Sequence, residues 1–340
     1  MKISCYDINL EKAVDEIKEK NYKKILLQLP EGLKIYAADF VGFLESKTDA
    51  DFMVYSDPCF GACDLVCSDV KDMGVDFIVQ IGHLPIPCLN GSIPPTMFVN
   101  AYVDFDVEKL VKKSISKLEH KKIGLVSTAQ HVHLLKEVKE SLSQHDFEVF
   151  ISEGDSRIDA KGQILGCNFS AANAIKDKVD LFLFIGSGTF HPMGLILSSK
   201  KPVVTVDPYT FEVKKEEIDD LKDMTLKQRY GAIASCRDAK VFGILVGLKK
   251  GQERMDLAED LKRMIESKGR KALVFAMNHF SPQFIEGFRG INCFVSTSCP
   301  RIAIDDYIQY KIPIITPVEL KILLGIKKWE DFKFDEILNQ

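Results

Sequence analysis

The chain repeats one strand-and-helix pattern three times, and that internal similarity restricts its fold more than any single residue does. Three segments open alike: YKKILLQLPEGL from Tyr22, HKKIGLVSTAQH from His120 and AKVFGILVGLKKGQ from Ala239. Each is a short apolar run leading into a polar turn, the pattern of a strand buried on both faces of a parallel sheet. A helix is predicted after each, with core-facing stripes at Ala37, Phe40, Val41 and Leu44, at Leu134, Leu135, Val138 and Leu142, and at Leu257, Leu261, Met264 and Ile265. Second strands are expected around DFMVYS, FEVFIS and KALVFAM. Third strands are expected in VDFIVQIGH, VDLFLFIGSGTFH and INCFVSTSCPR, and fourth strands in PTMFVNAY, KPVVTVDPY and IPIITPVE.

Strands alternating with helices at these separations require parallel sheets with right-handed crossovers. The expected fold class is therefore α/β, built from three repeated small domains, each a parallel sheet flanked by helices, around a pseudo-threefold axis. The expected boundaries are 1–118, 119–235 and 236–340, where charged stretches precede a new first strand. The charged run from Val213 to Arg229 reads as a solvated helix joining two domains. In open parallel sheets ligands bind beyond the carboxyl ends of the strands, so three such ends facing one axis would enclose a common cavity.

A chain of 340 residues with 46% hydrophobic and 28% charged residues can bury a large core and has the composition of an ordinary soluble protein. Its net charge of −4 gives no basic footprint, so no direct nucleic-acid binding is expected. The first residues lack a signal-peptide apolar run and no stretch is long enough to span a bilayer, so a cytoplasmic location without membrane association is expected. Nine cysteines, an odd number in a reducing compartment, argue for metal binding or simple burial over a disulfide framework.

The cysteines fall in suggestive places. YSDPCFGACDLVCS carries Cys59, Cys63 and Cys67 just beyond a predicted strand, GQILGCNFS carries Cys167, and STSCPR carries Cys299. A lone cysteine at a strand end is more often core filling than a ligand. Three in polar turns on the ligand side of separate repeats point instead to Cys63, Cys167 and Cys299 meeting around an iron–sulfur cluster. The local C-x3-C-x3-C string is one residue too long for the usual radical S-adenosylmethionine loop, and the chain has no CxxC pair for structural zinc. If the segment after Gly61 is helical, Cys67 lies behind Cys63 in the core. Cys5, Cys88, Cys236 and Cys293 read as structural or incidental. Three thiolates on four irons leave one iron open to a substrate. Around it belong the turn Gly186, Ser187 and Gly188, the strand ends carrying Asp207, Lys250 and Gln252, and Arg301, whose fork suits a carboxylate. Each of these is equally readable as a tight turn or a surface charge. His131 and His133 do not share a helical face, so they make a poor metal pair; His131 suits substrate orientation or capping, and His83 and His191 end equivalent strands.

Taken together, FGAC at Phe60–Cys63, STAQH at Ser127–His131, GDSR at Gly154–Arg157, GQILGCNFS at Gly162–Ser170, IGSGTFHP at Ile185–Pro192, VDPY at Val206–Tyr209, LKKGQ at Leu248–Gln252 and CPRIAIDDY at Cys299–Tyr307 resemble the archaeal 2-(3-amino-3-carboxypropyl)histidine synthases of diphthamide biosynthesis. The resemblance spans essentially the whole chain. It implies a homodimer with a 4Fe-4S cluster on one cysteine per domain, here Cys63, Cys167 and Cys299, with no catalytic side chain beyond the cluster. It also implies S-adenosyl-L-methionine as co-substrate, a histidine of translation elongation factor 2 as acceptor, an unidentified electron donor, and radical chemistry that releases methylthioadenosine. Cys59 has no assigned place in that pattern. Three alternatives remain at this point: a quinolinate synthase-like 4Fe-4S dehydratase or condensing enzyme, a noncatalytic iron–sulfur electron-relay subunit, and a nucleotide-binding α/β protein with metal-free thiols.

Overall fold

The computed structural model describes residues 2–66, 70, 72–89 and 94–338. Three parallel sheets follow one another along the chain, all with the same strand order: second, first, third, fourth. The first orders Asp51–Tyr55, Lys24–Gln28, Phe77–Ile81 and Thr96–Val99. The second orders Glu148–Phe150, Lys122–Ser127, Leu181–Ile185 and Val203–Val206, extended by an antiparallel edge strand, Val213–Lys214. The third orders Lys271–Met277, Val241–Gly247, Cys293–Ser296 and Ile314–Ile315.

The central strands are buried on both faces, which is why they read as continuous apolar runs rather than alternating ones. In the second sheet Phe182 and Phe184 enter one core while Leu181, Leu183 and Ile185 enter the core on the opposite face. Two first strands carry a glycine for the same steric reason. A Cβ on Gly124 would stand 2.4 Å from the ring of Phe182, its register partner on the third strand, and one on Gly243 would stand 2.6 Å from the equivalent Phe294. The expected helices occupy Ala37–Glu45, Leu135–Ser143 and Met255–Ser267, each burying its apolar stripe.

Two features depart from the sequence reading. PTMFVNAY is not one strand: Thr96–Val99 belongs to the first parallel sheet, whereas Ala101–Tyr102 joins an antiparallel sheet with Lys2–Ile3 and Tyr6–Ile8. Asn100 makes the change of sheet, donating to the carbonyl of Ala129 at 2.8 Å and accepting from the amide of Ala101. The charged run from Val213 is likewise not a solvated connector. It forms Glu216–Ser235, which buries Ile218, Thr225, Arg229 and Ile233. Arg229 and Glu319 are both fully buried and paired at 2.6 Å, and the guanidinium also donates to the carbonyls of Ala303 and Ile314. Composition shows charges, but not that two of them neutralise each other inside.

The end of the chain turns back. Phe332 and Phe334 pack into the core of the second sheet, and the amide of Ile337 donates to the carbonyl of Cys167 at 2.8 Å. Among the described residues no helix is long and apolar enough to cross a membrane.

Candidate functional site

Three thiols converge beyond the carboxyl ends of the sheets. Cys63 sits in a short 3-10 turn, Ala62–Asp64, that follows the strand Asp51–Tyr55 and the extended Gly61. Cys167 lies in a turn closed by the bridge between Leu165 and Asn168. Cys299 follows the strand Cys293–Ser296, and its carbonyl accepts from the amide of Ile302 in the short helix Arg301–Ile304. Burial pushes all three thiols up, Cys299 to about 12, and they act on one another: the charges of Cys299 and Cys63 raise Cys167, and that of Cys63 raises Cys299.

One turn holds the three together. In LKKGQER, Lys249 pairs with buried Asp64, next to Cys63, at 2.5 Å. Gly251 lies against the backbone of Cys63, and its carbonyl accepts from Arg157, in the loop that leads toward Cys167, at 2.9 Å. Gln252 donates to Sγ of Cys63 at 3.4 Å and accepts from the hydroxyl of Ser298, beside Cys299, at 3.0 Å. Arg254 donates to the carbonyls of Thr297 and Ser298 and pairs with Asp335 of the returning chain end. The carbonyls of the loop before Cys299 are thus held by a partly buried cation through charge-assisted bonds.

The donor set suits an iron–sulfur cluster. Among the described residues no group of His, Cys, Asp or Glu has the close spacing that a single metal ion needs. A four-iron cluster binds its thiolates on separate irons and needs them farther apart. Cationic groups stand where thiolate charge would accumulate: Arg157 and Lys249 lower Cys63, Arg157 and Arg254 lower Cys167, and Arg301 lowers Cys299. Nε of Arg157 is buried with no hydrogen-bond partner among the described residues, a donor whose charge already acts on two of the thiols.

Cys59 is buried as well and pushed up to about 12 by burial, then by Asp64. It lies against Gln80 of the central strand Phe77–Ile81, 3.7 Å from Nε2, and its charge neighbours include Asp64, Cys63 and Lys249. Cys67 lies outside the described residues. Cys236 and Cys293 are fully buried in the third sheet's core, and Cys5 and Cys88 are exposed.

Of the expected cofactor-binding residues, Gln252 and Arg301 stand with the thiols. Arg301 already has a carboxylate, Asp305, at 2.7 Å, and lies 3.0 Å above the ring of Phe190. Gly186, Ser187 and Gly188 form the turn before the helix Phe190–Ser199, with φ of 157° and 73° at the two glycines. Asp207 accepts from the amides of Tyr209 and Thr210, closing its own turn. Lys250 is exposed. A cavity of about 300 Å3 opens between the strand ends of the first two sheets, lined in part by Tyr6, Gln130, His131, Ser187, His191 and Tyr209. The turn from Gly186 to His191 separates it from the thiols, because Phe190 packs on Gly166, the neighbour of Cys167. His131 and His191 therefore line a cavity, while His133 pairs with Asp104 nearer the surface and His83 lies beside the lining residue Gly82. Sequence reasoning gave no role to Arg157, Arg254, Asp64 or Asp335. GDSR contains the first of these, and a signal for Arg254 lay in its place two residues after Gln252.

The family model of the diphthamide synthesis proteins matches residues 29–333. The chain belongs to this family. Among diphthamide synthesis proteins, the 2-(3-amino-3-carboxypropyl)histidine synthase of Pyrococcus horikoshii is 38% identical over 98% of this chain and 94% of its own. The synthase of Methanocaldococcus jannaschii is 30% identical over the same shares. The crystal structure of Dph2 from Pyrococcus horikoshii with a 4Fe-4S cluster superposes with a TM-score of 0.90 at 36% identity, covering 98% of this chain and 94% of that one.

Proposed function

We propose that this diphthamide synthesis protein is a 2-(3-amino-3-carboxypropyl)histidine synthase that catalyses the first step of diphthamide biosynthesis. It transfers the 3-amino-3-carboxypropyl group of S-adenosylmethionine to an imidazole carbon of one histidine of translation elongation factor 2, with methylthioadenosine as the second product. The observation that carries this reading is the convergence of Cys63, Cys167 and Cys299 from loops of three separate sheets, in a chain similar along its whole length to synthases of that name.

When bound on those three thiolates, a 4Fe-4S cluster supplies the electron and an open iron for the sulfonium substrate. The chain's own residues do the rest. Gln252 donates to the thiolate of Cys63, and Arg157, Arg254 and Arg301 hold the thiolate loops and compensate their charge. The turn Gly186, Ser187 and Gly188 offers backbone to S-adenosylmethionine between the thiols and the cavity, with Asp207, Lys250, Gln252 and Arg301 at its margins. Cys167 is buried and Cys63 and Cys299 are partly buried, which limits solvent access to a reactive carbon radical. The three sheets correspond to three domains, 1–118, 119–235 and 236–340, in approximate threefold array, and the working form is a cytoplasmic homodimer served by a separate electron donor.

The test is anaerobic incubation of the iron-loaded protein with dithionite, S-adenosylmethionine and elongation factor 2. Methylthioadenosine together with a histidine peptide heavier by one aminocarboxypropyl group is the expected outcome. Release of methionine and deoxyadenosine products instead would assign cleavage to the other sulfonium bond and reject the reading.

A further inference from the structure

The side-chain amide of Gln252 is engaged at both ends, by Cys63 on one side and Ser298 on the other. The residue is 6% exposed, its amide nitrogen is 3.4 Å from Sγ of Cys63, and its amide oxygen accepts from Ser298, which is fully buried. The packing leaves that side chain little choice. Ser298 and the Cβ of Gln252 both fill the space above Gly247, where an added Cβ would stand 2.5 Å from the serine Oγ and 3.5 Å from Gln252. A ligating thiolate can only accept, so the NH2 end of the amide faces the sulfur and the oxygen is left to accept from Ser298. Ser298 is itself held in line, because its carbonyl and that of Thr297 are both bound by Arg254. The chain Arg254, Ser298, Gln252 and Cys63 therefore fixes an N–H donor on one thiol and connects it to the residue preceding Cys299.

We infer that Gln252 is a positioning residue that sets the reduction potential of the iron–sulfur centre through its N–H···S bond to Cys63. The inference rests on the cluster-binding reading of Cys63. Reduction adds negative charge that is shared by the ligating sulfurs, and a donor aimed at a sulfur stabilises the more negative state. Removing the donor therefore lowers the potential without removing a ligand. Ser298 acts one step further away, by keeping the amide from rotating its oxygen toward the sulfur.

The experiment compares wild type, Gln252→Leu, the near-isosteric and uncharged Gln252→Met, and Ser298→Ala, each reconstituted anaerobically as the full chain. Iron content, the potential from an electron paramagnetic resonance titration, and the exchangeable-proton coupling to the reduced centre after transfer to deuterated buffer are measured. The expected result is wild-type iron content with a ratio of reduced to oxidised centre about tenfold lower in both Gln252 variants at a fixed ambient potential, equivalent to about 59 mV for one electron. One exchangeable coupling disappears, and Ser298→Ala shifts the potential in the same direction by less. Equal potentials in the loaded Gln252 variants and wild type would overturn the inference. If neither Gln252 variant takes up iron, Ser298→Ala decides: a downward shift supports it and an unchanged potential overturns it. Absence of any centre in the wild type would instead reject the cluster reading itself.

Discussion

Gly251→Ala tests whether the LKKGQER turn holds the thiol loops in place. The glycine is required for space, since an added Cβ would stand 2.5 Å from Cα, 2.6 Å from Cβ and 2.9 Å from the carbonyl oxygen of Cys63. Two of these are backbone atoms, so no flexible side-chain end can swing away. Restoring ordinary contact needs a separation of about 1 Å between the turn and the Cys63 loop, and overpacking of this kind costs about 1–3 kcal/mol. A displacement of that size exceeds the roughly 0.5 Å tolerance of a preorganised site. If the clash falls on the loaded state, iron is held roughly 5- to 150-fold less tightly, by the conversion of tenfold per 1.4 kcal/mol. The assay is iron and sulfide per chain after anaerobic reconstitution, followed by the ferrous-chelator concentration that strips half the iron. Gly42→Ala is the control: it lies in the helix Ala37–Glu45 with nothing within 4 Å of an added Cβ, and should leave loading unchanged while stabilising the helix by about 1 kcal/mol. Equal chelator resistance in the two variants would refute the idea that this turn sets the Cys63 position.

Other substitutions probe the surrounding structure. Arg229→Met leaves Glu319 buried and unpaired, so denaturant unfolding should show a loss of about 3–5 kcal/mol, whereas Arg229→Met combined with Glu319→Leu should recover much of it. His191 is held near a pKa of about 3, chiefly by burial and then by the charge of Arg301. Below the unfolded value of about 6.5 the unfolded chain binds the extra proton, so His191 contributes an acid-dependent loss of stability as pH falls toward 3. Comparing urea midpoints at pH 7 and 5, wild type should lose about 2 kcal/mol more than His191→Phe over that interval. Arg254→Gln removes the partner of Asp335, and amide exchange across residues 332–338 should accelerate while that of the central strand Leu181–Ile185 stays unchanged.

The repeated sheets were legible because strands buried on both faces are largely apolar, and ILL, LFLFI and ILVG show this without any tertiary information. The helices were legible from their single buried stripes. The antiparallel sheet was not, since Lys2–Ile3 and Ala101–Tyr102 are two residues each and acquire meaning only by pairing with Tyr6–Ile8. Cys63, Cys167 and Cys299 stood out by residue type in glycine- or proline-bearing turns. Gln252 and Arg301 were visible as polar residues near strand ends, but their partners, Cys63 in one case and Phe190 with Asp305 in the other, depend on how separate segments meet. Arg229 and Glu319 lie 90 positions apart, and nothing local to either distinguishes them from solvated charges.

The most direct test of the central claim is iron and sulfide content after anaerobic reconstitution of wild type, Cys63→Ala, Cys167→Ala, Cys299→Ala and Cys59→Ala, with the product assay run on the same samples. The account predicts about four irons and methylthioadenosine formation in wild type and Cys59→Ala, and loss of both in the other three variants. A full cluster retained in any of those three, or lost in Cys59→Ala, would contradict the assignment of Cys63, Cys167 and Cys299 as the ligands.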